Sequence, residues 1–161
     1  MILEIRSINN IAFRELMNVY QEGNIENAKV FYPKMDLSAG ILEAEQDFYT
    51  YLRDVFFHTK DARYYVLEEN GQYLSAFRTE PYKDGYLLEA LETAPTHRGK
   101  GYAKQLLSEV LPKISQPVYS HVHKQNQASL AVHRFCGFQI VLDFAQYIDG
   151  TYNQDSYTLQ R

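Results

Sequence analysis

The chain of 161 residues predicts a mixed α+β (mixed α/β) domain, and three observations carry that prediction. Short runs alternate apolar and polar residues, as half-buried strands do. Between them lie longer segments whose apolar residues recur at helical spacing. Asn-Gly and Asp-Gly pairs punctuate the alternating runs, where two-residue hairpin turns form. A hydrophobic content of 45% with 22% charged residues belongs to an ordinary globular protein. No internal repeat, low-complexity tract or linker interrupts it, so residues 1–161 read as a single domain.

Composition also excludes functions. A net charge of −4 argues against nucleic acid and anionic membrane as partners and favours cationic ones. No apolar run of about 18 residues offers a membrane span, and Met1 to Arg6 lacks the apolar core of a secretion signal. The single cysteine, Cys136, has no internal disulfide partner, which fits a reducing compartment; the expected location is the cytoplasm. The 14 tyrosines read chiefly as an aromatic-rich core.

Ile2 to Arg6 alternates as a strand, and Asn9 or Asn10 offers a cap for a helix over Ile11 to Tyr20. A second helical region runs from Gly23 to Phe57: Ile41, Phe48, Leu52, Val55 and Phe56 share a face, with Asp36 or Ser38 as the cap. Ala62 to Glu68 and Gln72 to Thr79 flank Asn70-Gly71 as a hairpin. Pro81 breaks the pattern, and Asp84-Gly85 turns the chain into a strand from Tyr86 to Thr93. Three antiparallel strands therefore lead into the segment Thr93 to Ala103. Ala103, Leu106, Leu107, Val110 and Leu111 then line a helix that Pro112 ends. Val118 to His123 alternates again, with Tyr119, His121 and His123 on the polar face. Asn126 caps a helix over Gln127 to Cys136, and Gly137 stops it. Phe138 to Ile148, Asp149-Gly150 and Thr151 to Leu159 form a long closing hairpin.

The segment His97-Arg98-Gly99-Lys100-Gly101-Tyr102-Ala103 joins a strand to a helix. Two glycines allow a tight turn and close approach of a ligand, while the unpaired N–H groups of the helix start point into the turn beside Arg98, Lys100 and Lys104. That chemistry suits a phosphate or pyrophosphate. A dinucleotide fingerprint would need Gly or Ala at Lys104 and a ribose-binding acid further on. A nucleotide-triphosphate loop would need Ser or Thr at Gly101. Neither pattern is met.

The pattern Arg98-x-x-Gly101-x-Ala103 after a strand resembles the acetyl-CoA pyrophosphate loop of the GNAT N-acetyltransferases. A second motif, Asn126-x-x-Ser129-x-x-x-His133-x-x-x-Gly137-Phe138, follows it in family order. The resemblance covers residues 85–140 by motif and the remainder by element order. It implies the GNAT fold: a largely antiparallel sheet of about seven strands, helices on both faces, and a V-shaped splay between strands 4 and 5. It implies that acetyl-CoA is the acetyl donor and cosubstrate, with no metal. Leu91 and Thr93 would run beside the pantetheine. The turn Arg98, Gly99, Lys100, Gly101, Tyr102 and Ala103 would cradle the pyrophosphate, and Asn126 and Ser129 would help to fix the cofactor.

Family members commonly carry a Tyr where this chain has His133. An imidazole there is suited to protonating the leaving thiolate, while the bland alternative is a structural histidine. Glu89 and His121 are equal candidates for the general base. Glu89 shares the alternation of Leu87, Leu91 and Thr93, whereas Glu92 has the opposite parity and reads as lying outside the site. The implied activity is transfer of an acetyl group to a primary amine, foremost that of a small molecule, by direct attack in a ternary complex. The alternative is an acyl-CoA-binding module with little turnover. A homodimer through the C-terminal hairpin is compatible with such a fold.

Overall fold

The alternating runs become strands of one sheet in the computed structural model, which describes every residue from Met1 to Arg161. The strands are β1 (Ile2–Ile5), β2 (Arg63–Glu69), β3 (Gln72–Tyr82), β4 (Gly85–Thr93), β5 (Val118–His123), β6 (Gln139–Leu142), β7 (Ala145–Gln146), β8 (Tyr152–Asn153) and β9 (Ser156–Gln160). Seven of them form the main sheet in the order β1-β2-β3-β4-β5-β9-β6, and β7 and β8 form a separate pair. All neighbours in the main sheet are antiparallel except β4 and β5. The expected mixed fold, its seven strands and its helices on both faces are all present.

The helices are α1 (Phe13–Val19), α2 (Gln21–Phe31), α3 (Leu37–Asp54), α4 (Tyr102–Val110) and α5 (Gln127–Phe135). One sheet face packs Ile5, Tyr64, Val66 and Ala76 against Leu16, Met17 and Val19 of α1 and Leu52 of α3. The opposite face packs Phe77, Leu88, Val118 and Val122 against Leu106, Leu107 and Val110 of α4 and Leu130 of α5. Tyr20, Tyr64, Tyr65, Tyr73, Tyr82 and Tyr119 are buried, in line with an aromatic-rich core.

Local details depart from expectation for identifiable reasons. Ser7, not Asn9 or Asn10, caps the chain after β1: its Oγ accepts the Asn9 N–H and starts a 3-10 turn at Ile8–Asn10. The region from Gly23 to Phe57 is split into most of α2, all of α3 and the start of a 3-10 turn at Phe56–His58, the first break falling where Pro33 cannot continue a helix. Asp36 stands at the N-cap of α3 without a side-chain bond. β3 runs through Pro81 to Tyr82; β2 pairs with it only as far as Thr79, so Pro81 faces a partner on the β4 side alone, at Tyr86. An edge position tolerates the missing N–H. The closing hairpin is broken after Leu142: β6 pairs with β9, while β7 and β8 turn away as their own ribbon.

Strands β4 and β5 pair only from Tyr86↔Val118 to Leu88↔Ser120. Beyond that point β4 runs on to Thr93 and β5 to His123 without mutual pairing. The sheet therefore opens in a V, and both candidate sites lie along it.

Candidate active site

The cleft beyond the V is built by local chemistry. Gly99 (φ 75°) and Gly101 (φ 81°) are both left-handed, a conformation that costs an L-residue about 1–2 kcal/mol. Gly101 is the N-cap of α4 and offers no side chain to cap it. The first N–H groups of the helix are therefore left for a ligand. A Cβ at either glycine would meet nothing within 4 Å, so the glycines are there for backbone conformation and not for want of room.

Leu91, Thr93, Arg98, Gly99, Gly101, Tyr102, Ala103, Asn126 and Ser129 line one cavity of about 620 Å³, together with Glu92, His97, Lys104, Ala128 and Val132. Of the expected cofactor residues only Lys100 does not line it; it is exposed on the turn. Asn126 Oδ1 accepts the Ser129 N–H at 3.1 Å and so caps α5, as its alternative reading anticipates. Arg98 Nη1 pairs with Glu22 Oε2 at 2.7 Å and Nη2 lies 3.6 Å from Glu92 Oε2. A groove with free helix N–H groups, two cations and an apolar wall of Leu91 and Val132 fits an elongated ligand with a diphosphate end.

The fourth strand holds a correction. A register shift falls between Ala76 and Arg78 on the β3 side, opposite Ala90, whose φ is 53°. This bulge resets the alternation. Glu89 pairs with Arg78, which lies under α3, and Ala90 packs with the α1–α3 core. Leu91 packs on the α4–α5 side. Glu89 therefore does not share the face of Leu91 and Thr93. Glu92, expected outside the site, lines the cleft and meets Arg98.

On the α1–α3 face, the register sets Arg78 opposite Glu89 and Glu80 opposite Leu87, so Glu80 and Glu89 are diagonal neighbours. Arg78 Nε is 3.4 Å from Glu89 Oε2, and its guanidinium lies 5.1 Å from the ring centre of Tyr51 and 5.6 Å from that of Phe56. Burial, and then hydrogen bonding to Glu89, push Glu80 up to about 7. Across the V, His121 packs edge-on against Tyr82 and Tyr147. Its Nε2 is buried without a hydrogen-bond partner. Burial lowers its pKa, Glu89 opposes that shift and Lys83 reinforces it, so the ring is neutral at pH 7. Glu89 and His121 are thus brought together at the mouth of the V. Glu80, Arg78, Tyr51 and Tyr147 complete the surroundings; only the cross-strand register and the path of β7 reveal them.

His133 is not brought to the cleft. It is 1% exposed; Nδ1 donates to the Ser129 carbonyl at 2.8 Å, and Nε2 accepts from Ser120 Oγ at 2.8 Å. Both ring nitrogens are engaged, and burial lowers the pKa while the Ser129 carbonyl opposes the shift. The helix stripe shared with Ser129 is as expected, but α5 turns that stripe inward against β5. Cys136 is partly buried, and its thiol is pushed up by burial, which suits packing.

The family model described as Acetyltransferase (GNAT) family matches residues 28–138. No curated protein matches the sequence. Among solved structures, the PaiA N-acetyltransferase from Thermoplasma acidophilum in complex with coenzyme A superposes with a TM-score of 0.64 at 15% identity, covering 100% of this chain and 98% of its own. The ribosomal-protein-alanine N-acetyltransferase from Brucella melitensis gives 0.62 at 19%, covering 100% and 98%, and the IAA acetyltransferase from Bacillus cereus gives 0.62 at 17%, covering 99% and 97%. At these identities the structures speak to the fold, and the family model spans more than half of the chain: the protein belongs to the acetyltransferase (GNAT) family.

Proposed function

We propose that this protein transfers the acetyl group of acetyl-CoA to a primary amine of a small molecule, by direct attack while both are bound. The observation that carries the reading is the continuity of two chemistries across one V: a diphosphate cradle on the β4–α4 side and a carboxylate–imidazole pair on the α1–α3 side. Coenzyme A bound to the T. acidophilum relative supports the choice of donor. The cosubstrate supplies an activated thioester carbonyl. The protein's own residues do the rest. The helix start at Tyr102 to Lys104, with Arg98, holds the diphosphate; Leu91 and Thr93 guide the pantetheine; Asn126 and Ser129 close the far wall.

On the acceptor side Glu80 and Glu89 receive an ammonium group, and the aromatic rings of Tyr51, Tyr82 and Tyr147 enclose its carbon chain. Glu89 takes the proton. Glu80 beside it, pushed up to about 7 by burial and then by hydrogen bonding to Glu89, is suited to exchanging protons near neutrality. Neutral His121 faces the same nitrogen and orients it through Nε2. The freed amine then attacks the thioester carbonyl, a C–N bond forms as the C–S bond breaks, and the second proton of the nitrogen leaves with the thiolate. Bringing the two reactants together at the V supplies much of the acceleration.

The rival reading is an acyl-CoA-binding module with little turnover, and the burial of His133 favours it by removing the expected acid of α5 from the cleft. Thiol release from acetyl-CoA with a panel of monoamines, diamines and amino sugars separates the two. Release with at least one amine, lost in Glu89→Gln, is expected; tight acetyl-CoA binding without release across the panel would select the binding module.

A further inference from the structure

The bulge at Ala90 stands where the V opens, and it needs an explanation. Alanine in a left-handed conformation is strained, and nothing in the sequence of β4 calls for a break there. The explanation lies on the other side of the core. Tyr20 Oη donates to the Ala90 carbonyl at 2.7 Å, and Tyr64 Oη donates to Tyr20 Oη at 2.7 Å. Both rings are buried. Tyr20 packs edge-on against Phe48 of α3 and against Tyr64. Burial raises both phenols, Tyr64 to about 12 and Tyr20 well above its ordinary value, so both keep the protons they donate.

Tyr20 is also the residue where α1 ends and α2 begins. Two residues later Glu22 reaches Arg98. The α1–α2 junction therefore grips β4 at the bulge and the diphosphate turn at Arg98. Past the bulge, Ser75 Oγ donates to the Glu92 carbonyl at 2.6 Å, and Thr93 Oγ1 donates to Ser75 Oγ at 3.1 Å. β4 pairs with β3 on either side of the break, and side chains hold it at the break, through Tyr20, and just past it, through Ser75 and Thr93.

We propose that Tyr20, backed by Tyr64, is a positioning clamp that holds Ala90 in its left-handed turn and so sets the β4 backbone against which the acetyl carbonyl rests. The clamp makes Leu91 and Thr93 face the donor cleft while Glu89 faces the acceptor. Without the hydroxyl, β4 relaxes towards regular alternation and the two halves of the site lose their alignment. The role assigned to the carbonyl rests on acetyl-CoA being the donor.

Tyr20→Phe removes one hydroxyl and keeps the ring. Two readouts test it. In protein labelled with 13C-alanine, the Ala90 Cα and Cβ shifts report its φ without any ligand. With [1-13C]acetyl-CoA bound, the infrared carbonyl band reports the polarity of its surroundings. The expected result is that Ala90 leaves the left-handed shift range, the carbonyl band moves towards its position for free acetyl-CoA, and CoA affinity stays within about threefold. Adding Ala90→Gly, which removes the steric cost of the turn, restores most of the band shift. Ala90 shifts unchanged in Tyr20→Phe, or an unmoved carbonyl band at retained CoA binding, would overturn the proposal. Failure of the wild type to bind acetyl-CoA would instead overturn the donor reading, and the Ala90 shifts would still decide the clamp. Should Tyr20→Phe fold poorly, Tyr64→Phe weakens the same clamp from behind, and the same Ala90 shifts must move in the same direction.

Discussion

His133→Phe distinguishes a structural from a proton-transferring histidine, and its consequences can be worked out from the contacts. The substitution keeps an aromatic ring beside Phe138, whose centroid is 5.0 Å away, but removes both polar bonds. Ser120 is 2% exposed and loses its acceptor, which costs about 1–3 kcal/mol for a buried polar group; the larger ring adds packing strain of similar size. A loss of about 3 kcal/mol at pH 7.5 is expected. The pH dependence is the sharper signature. Burial depresses the folded-state pKa of His133, so below about 6.5 the unfolded chain binds a proton that the folded protein refuses. The stability associated with this site is therefore complete above about pH 6.5 and is lost as pH falls. Between pH 7.5 and 5.5 the wild type loses up to about 1.4 kcal/mol from this residue; the variant loses nothing from it. His121, also depressed, lowers both proteins alike. Urea denaturation at the two pH values should thus show the gap between wild type and variant narrowing from about 3 kcal/mol by at most about 1.4 kcal/mol, with acetyl transfer per folded molecule nearly unchanged. A gap that stays constant, or a large fall in turnover without loss of stability, would refute the reasoning.

Three further outcomes follow from other parts of the molecule. A Cβ at Gly85 would overlap the Pro117 carbonyl, lying 2.8 Å from its carbon and 3.1 Å from Pro117 N, where Tyr86 N–H donates to the same carbonyl. Gly85→Ala should cost about 3 kcal/mol or more by prising β4 from β5 at the base of the V, whereas Gly23→Ala in α2, with nothing within 4 Å, should raise stability by about 0.5–1 kcal/mol; thermal melts of the pair check both signs. With Glu80 pushed up to about 7, kcat/KM of the wild type is expected to rise with pH through that range, and Glu80→Gln should move the rise to lower pH; a midpoint that stays in place would remove Glu80 from the proton-accepting pair.

The cleft of the proposed donor site was legible because each of its parts obeys a local rule. Gly99 and Gly101 are needed for positive φ, Asn126 caps the helix it precedes, and Leu91 to Ala103 are nearly contiguous. The order of strands and helices was legible for the same reason, since periodicity and turn residues are local signals. The acceptor half was not. Glu80 and Glu89 become neighbours only through the β3–β4 register, and the inward turn of His133 depends on where α5 docks on β5. The Ala90 bulge hides from any alternation pattern, because the force that holds it is a hydroxyl from Tyr20, 70 residues away. By itself the sequence determined the family resemblance, the element order and the glycine turn before α4. Tertiary structure alone decided which carboxylates are cross-strand neighbours, which way His133 turns and which face each residue of β4 presents, because those outcomes are set by packing between distant segments.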